Sequence, residues 1–567
     1  MSAIFAESLP VWLLLFGGGI VALGQAISKS ARICGRLTLF WIVLAGVSLH
    51  PAIASLLVGD NELPEKTASA QPKQDSETVP RGESISSLCN WPIAWQWVIL
   101  PTAFLVVLMS LGHAIVHHDA SDSAARRYSL LLCSTAGLCG CACAQNLWWL
   151  FVAGRMSIWP WLLAFREFDS RDRPNGTTGR LLISPAFWRS LILSLPSDPS
   201  SMQERPMTDE PPPRSPPLVL LMMREFWSVA LTLGGLIILA YWTGLPALSL
   251  SDLQNFDPRK EASLGWGIAG VLLVIIGSGW TIPLHFETLD VVERADSIWT
   301  VWYIGIQIIA SVLTVCGFLV LSTLGRIASA ETMLLVLAGW SLVIGSLVTH
   351  RQIHLRRWLA GLVLAQSGWW MTSVALVVHR QKMGDFHPLS RGMYPENLSV
   401  TIYLVIADLA SIVGFVAVCR YLTDSDRELN YLDDLRGALR QQPGGTICAG
   451  ICLLSILGLP LTAGFWSRWQ LMAGFWNAQL IQPGSGFPAV HGGFLTLACV
   501  LIFSQGVMIL AVSQPLRLMF IERPISRIQP QGGDAALSAA LLATFVVVGI
   551  GLLPDALLRG LLTIVAP

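Results

Sequence analysis

The sequence predicts an all-α polytopic membrane protein of about fourteen transmembrane helices, on three observations. Of 567 residues, 53% are apolar and only 13% charged, with a mean hydropathy of +0.60. A soluble domain carries about 25% charged residues. Apolar stretches of about 20 residues, the length that crosses a bilayer, recur from one end of the chain to the other. Twenty-three tryptophans are present, and many stand at segment ends, among them Trp12, Trp41, Trp97, Trp148, Trp149 and Trp299. Indole rings anchor helices at the membrane–water interface. Lys plus Arg equals Asp plus Glu, at 36 each. No basic face therefore invites nucleic acid, and the surrounding partner is the lipid bilayer.

The apolar windows fall near 9–27, 37–58, 95–116, 129–146, 147–165, 219–241, 263–284, 297–322, 332–349, 358–379, 400–421, 446–466, 493–514 and 535–556. The first follows Glu7 with no Lys or Arg before it and no close small-x-small site, so it reads as a retained helix and not a cleaved signal. Basic residues then orient the chain. Lys29, Arg32, Arg36, Arg126, Arg127, Arg166, Arg171, Arg173, Arg351, Arg356, Arg357, Arg427, Arg436, Arg440, Arg517, Arg523 and Arg527 fall on one side, although Arg380, Lys382 and Arg391 oppose them. The positive-inside rule places both termini outside the cytoplasm. Two polar stretches, about 59–90 on the outer side and a Pro-rich insert at about 169–216, have compositions that do not pack. The apolar piece near Leu181 to Leu195 inside the second is too short for a span and reads as a surface amphipathic helix.

No GxxxxGK[ST] or strand-linked GxGxxG motif occurs, so the chain offers no site for NADH. Nor do cysteines pair at iron–sulfur spacing. The cluster Cys133, Cys139, Cys141 and Cys143 would need a turn to converge on a metal; on a membrane helix, small residues at such spacing let neighbours approach closely.

Two apolar segments are interrupted alike: GSGWTIPLHFETLD around Pro283 and LGLPLTAGFWSR around Pro460. Proline frees helix backbone, which is tolerated at membrane depth only where protein or water satisfies it. Paired interruptions point to inverted repeats and an ion path, or else to two ordinary proline kinks. Polar groups in or near the spans are costly and often functional. They are Arg155 in the fifth segment, His285 and Glu287 after the first break, Asp290 and Glu293 beyond it, Gln366 in the tenth, Asp408 in the eleventh and Arg468 past the second break. Structural pairing, snorkelling and transport each account for such groups.

Four stretches resemble a known family. HRQIHLRRWLAGLVLAQSG (His350 to Gly368) is similar to its LRQxNLKRLLAYSSIAHAG pattern. LDDLRGALRQQPGGTICAGICLLSILGLPLTAGFWSRW (Leu432 to Trp469) is similar to a DLRGL-like loop followed by GIPPxAGFxGKF. IPLHFETLDVVERAD (Ile282 to Asp296) is similar to VPFHFWAPDVYEGAP, and Arg126 to Met156 follows the family's fourth and fifth helices without a gap. The family is that of the N-type antiporter-like membrane subunits of bacterial NADH–quinone oxidoreductase, respiratory complex I.

The resemblance implies two inverted five-helix repeats with discontinuous seventh and twelfth helices. Residues 1–128 would form three N-terminal helices, 129–322 the first repeat, 323–331 a connector, 332–514 the second repeat and 515–567 a last helix. It implies a multi-pass subunit of the bacterial inner membrane, partnered by other membrane-arm subunits. It also implies a translocase subunit with no catalytic centre of its own, since NADH, FMN, iron–sulfur clusters and quinone belong to partner subunits. In the family a central chain of Glu, Lys and His carries protons. Here Arg155 occupies the fifth-helix Glu position, Ser278 the seventh-helix Lys, Ile308 the eighth-helix Lys, Gln366 the tenth-helix His and Arg468 the twelfth-helix Lys. Arginine keeps its proton, and serine and isoleucine hold no charge. The expectation is a subunit that retains fold and docking with an impaired or rerouted proton path. An Mrp-like cation–proton antiporter component and a structural subunit of a hydrogenase-type relative are the alternatives.

Overall fold

The computed structural model describes residues 124–142, 146–171, 217–256, 264–278, 327–382, 394–423, 429–480, 488–524 and 533–554, together with scattered single positions. The windows at 9–27, 37–58, 95–116 and 297–322 and both polar stretches lie almost wholly outside the described residues. Within them every regular element is helical. In chain order these are α1 (Ala124–Ala142), α2 (Leu147–Arg171), α3 (Pro217–Thr243), the short α4 (Leu250–Asn255), α5 (Leu264–Ser278), α6 (Ala328–Arg351), α7 (Leu355–Lys382) and α8 (Tyr394–Leu422). A one-turn α9 (Ala438–Gln441), α10 (Pro443–Leu457), α11 (Ala463–Leu480), α12 (Pro488–Phe520) and α13 (Gly533–Leu552) follow.

Five helices are long and apolar enough to cross a membrane by length and composition: Met222–Thr243, Ala330–Arg351, Leu355–His379, Val400–Leu422 and Thr496–Phe520. Their burial sorts them into layers. The α7 span is wholly enclosed and the α8 span nearly so, whereas about two thirds of the α3, α6 and α12 spans face outward. Outward faces carry Phe226, Trp227, Tyr241, Trp340, Phe503 and Leu510, side chains that favour lipid over water.

Among the described residues the core runs in two large clusters joined through α6 and α7, with a small third one at Tyr403, Ala407 and Ala463. One holds Leu147, Leu150, Leu236, Leu239, Val271, Val274, Leu334 and Val374 from α2, α3, α5, α6 and α7. The larger holds Trp358, Leu362, Phe415, Leu453, Leu501, Val512 and Ala543 from α7, α8, α10, α12 and α13. Cys139 and Cys141 are buried, unpaired thiols in α1, the latter against the Leu150 carbonyl of α2. They serve helix contact, while Cys143 lies outside the described residues.

The interruption around Pro460 is a true break. α10 ends at Leu457, Gly458 adopts φ +73°, and its N–H closes on the Ser455 carbonyl at 2.9 Å. A left-handed glycine with proline two residues on is a common helix stop. After five non-helical residues the chain resumes as α11, which runs well past the predicted window end at 466. The reason is that Trp466, Leu471 and Phe475 find packing surface beyond the apolar run. α13 braces the break from outside: Tyr403 Oη donates to the Ile550 carbonyl at 2.9 Å and Trp466 Nε1 to the Gly551 carbonyl at 2.8 Å.

Candidate functional site

Three residues singled out by sequence converge at this break. Arg468, one turn into α11, donates from Nη2 to Gln366 Oε1 of α7 at 2.7 Å and to Asp408 Oδ1 of α8 at 3.2 Å. Its Nη1 turns the other way, to the Ser455 carbonyl at 3.2 Å and the Gly464 carbonyl at 2.9 Å. Trp370 Nε1 holds the second Asp408 oxygen at 2.9 Å, and the Trp369 ring lies 5.3 Å from the guanidinium carbon. All of these side chains are buried. Ser455 Oγ accepts from Ser411 Oγ at 2.9 Å and from the Gly464 N–H at 3.2 Å, which ties the two sides of the break together. Gln505 of α12 donates to the Leu457 carbonyl at 2.6 Å. The backbone acceptors that the break sets free are thus met by side chains, as a water-poor interior demands.

Close approach makes this geometry possible. A Cβ on Gly464 would stand 2.7 Å from Arg468 Nη1 and 2.8 Å from the Ser455 carbonyl carbon. No side chain fits there without displacing the guanidinium or parting α10 from α11.

Arg155 stands elsewhere, in α2. Its Nη1 donates to Glu225 Oε2 at 3.1 Å and to Ser228 Oγ at 2.7 Å, both on α3. Its Nη2 reaches the Gly277 carbonyl at the end of α5 at 3.4 Å, and Ser228 Oγ donates to the same carbonyl. Phe151 lies 5.5 Å from the guanidinium carbon. The other Glu225 oxygen faces Arg224 Nη1 at 3.7 Å.

The two clusters share a pattern. A carboxylate (Glu225, Asp408) is followed three residues later by a serine (Ser228, Ser411) that touches the end of an apolar helix, α5 or α10. An arginine pairs with the carboxylate and also binds a carbonyl at that helix end. Helix C-termini carry partial negative charge, so a cation is favoured there.

Of the other sequence-predicted positions, Ser278 closes α5 and its side chain lies outside the described residues. Pro283, His285, Asp290, Glu293 and Ile308 also fall outside them. Sequence reasoning passed over Glu225, although a charged pair, Arg224–Glu225, inside an apolar run was the available signal. It also passed over Glu331 of α6 and His379 of α7, buried and 2.9 Å apart. Among the described residues no group of three His, Cys, Asp or Glu side chains is placed to hold a metal.

Comparison with known proteins adds to this geometry. Residues 217–485 match the family described as "NADH:quinone oxidoreductase/Mrp antiporter, TM". Curated relatives called NADH-quinone oxidoreductase subunit N are 24–28% identical. That of Deinococcus radiodurans is 25% identical over 315 residues, 54% of this chain and 56% of the relative. The chain spans about half the length of the curated relatives it matches. The fold is shared with a chain of respiratory complex I from Thermus thermophilus with bound aureothin, at TM-score 0.63, 17% identity and 97% and 99% coverage of the two chains. It is shared equally with a chain of the Mrp complex from Dietzia sp. DQ12-45-1b, at TM-score 0.66, 14% identity and 100% and 97% coverage.

Proposed function

We propose that this chain, a divergent relative of the N-type antiporter-like subunits, is a membrane-arm subunit of a proton-translocating NADH–quinone oxidoreductase whose own proton path is impaired or rerouted. Its architecture in this reading is about fourteen spans in two inverted five-helix repeats. Both termini face outward from the bacterial inner membrane, and other membrane-arm subunits flank it. NADH, FMN, iron–sulfur clusters and quinone stay with those partners.

One observation carries the reading of the path. At two positions matched to titrating residues of the family stand arginines, Arg155 and Arg468, each locked to a buried carboxylate. A side chain that keeps its proton relays none. Carboxylates on α3 and α8, each with its serine one turn on, further support an internal repeat.

The test is purification of the tagged chain from its native membrane in mild detergent, followed by reconstitution. Recovery with the other membrane-arm and NADH-oxidising subunits supports the assignment. The complex is then compared with one carrying Arg155→Glu, Ser278→Lys and Arg468→Lys, for which proton transport per NADH should rise. If the unmodified chain already conducts as its neighbour subunits do, the impaired path is refuted.

A second reading, a component of an Mrp-like cation–proton antiporter, draws on the family model that covers both systems and on the similar fold of the Mrp chain. Recovery in such an assembly, with Na+/H+ exchange in vesicles, would favour it.

A further inference from the structure

We propose that the Arg468 guanidinium is a tethered plug seated in a binding site for a small monovalent cation. The four atoms that receive its hydrogen bonds are all oxygens: Gln366 Oε1, Asp408 Oδ1 and the carbonyls of Ser455 and Gly464. They come from α7, α8 and both sides of the break, two facing Nη2 and two facing Nη1. A partner chosen only to neutralise an arginine would offer both carboxylate oxygens to its fork. Here a single oxygen of Asp408 does so, the other is held by Trp370, and Nη1 points at backbone carbonyls instead. Oxygen ligands of this kind, with carbonyls at an unwound helix, suit a hard cation. The cradle carries one negative charge, so one positive charge balances it and a divalent ion would leave an excess.

The arrangement recurs. Arg155 sits among Glu225 Oε2, Ser228 Oγ and the Gly277 carbonyl, again one carboxylate, one neutral side-chain oxygen and one helix-end carbonyl. Each half of the chain therefore supplies its own cation to a cradle that an ion would otherwise fill. The proposal takes over the reading of Arg468 as a fixed charge but not the identity of the parent complex. Co-purification with a different assembly would leave it standing.

The test uses the purified full chain, its Arg468→Ala variant and the Arg468→Ala/Asp408→Asn pair. Thermal unfolding is followed in guanidinium, sodium, potassium or choline chloride at tens of millimolar and constant ionic strength. The single variant should melt below the unmodified chain and rise by about 2 °C or more in sodium or potassium, with choline inert and guanidinium serving only to show that the arginine seat is open. The unmodified chain and the pair should not respond. No response of the single variant to sodium or potassium beyond choline, or an equal response from the pair, overturns the proposal. Where the Ala variant does not accumulate, Arg468→Gln takes its place and is read by the same sodium and potassium shift, whose absence refutes the proposal.

Discussion

Arg155 and Glu225, 70 residues apart in sequence, meet as an ion pair of 3.1 Å between α2 and α3, both buried. Desolvating two charges costs several kcal/mol each, and only mutual attraction with further hydrogen bonds offsets it. Ser228 and the Gly277 carbonyl supply those bonds.

Removing one partner should therefore cost more than removing both. Arg155→Ala leaves Glu225 with only the longer 3.7 Å contact to Arg224 and is expected to lose about 3 kcal/mol, and Arg155→Ala/Glu225→Ala to recover much of it. Denaturant unfolding of the two variants in detergent, with Glu225→Ala completing the cycle, measures the difference. Equal losses would show that the pair is not coupled.

At Gly464 the expectation is steric. Gly464→Ala should destabilise by about 1–3 kcal/mol, because the methyl group meets Arg468 Nη1 and the Ser455 backbone. Gly506→Ala on α12 is the control, since nothing lies within 4 Å of its new Cβ. Relief of glycine's entropy cost should make that change neutral to about 1 kcal/mol stabilising. Melting temperatures of the two variants check the contrast.

Trp370→Phe keeps the ring packing and deletes the donor to Asp408 Oδ2. An unsatisfied buried acceptor costs about 1–3 kcal/mol, more for a charged one. Addition of Asp408→Asn should lower that penalty by removing the charge. Thermal unfolding of the single and double variants reads this directly.

Much of this was legible in the sequence. The windows at 219–241, 332–349, 358–379, 400–421 and 493–514 all reappear as helices because a bilayer-length apolar run has few other solutions. Arg468, Gln366 and Asp408 stood out because charge and amide groups are rare in such runs. Their convergence did not, since nothing local says which faces of α7, α8 and α11 meet. Glu225 was hidden by its place near the start of its segment, where a charge reads as snorkelling to the interface. Only the packing of α2 against α3 reveals it as the partner of Arg155.

Gln505→Leu tests the far side of the break. It deletes the donor to the Leu457 carbonyl and should cost about 1 kcal/mol while loosening α12 from α10. Hydrogen exchange at the end of α10 should quicken, with the α6–α7 hairpin unchanged as the internal reference.

That contact makes α12 a tie between the break and a distant loop. Gln505 grips the end of α10, and 13 residues further along, about 20 Å of helix, the Leu518 carbonyl accepts the N–H of Gly437 in the loop before α9 at 2.9 Å. Glu522 clamps the same loop through Arg436 at 3.1 Å. The end of the broken helix and the loop are thereby fastened to one element. Pro515, set between the two grips, removes one backbone hydrogen bond from that tie.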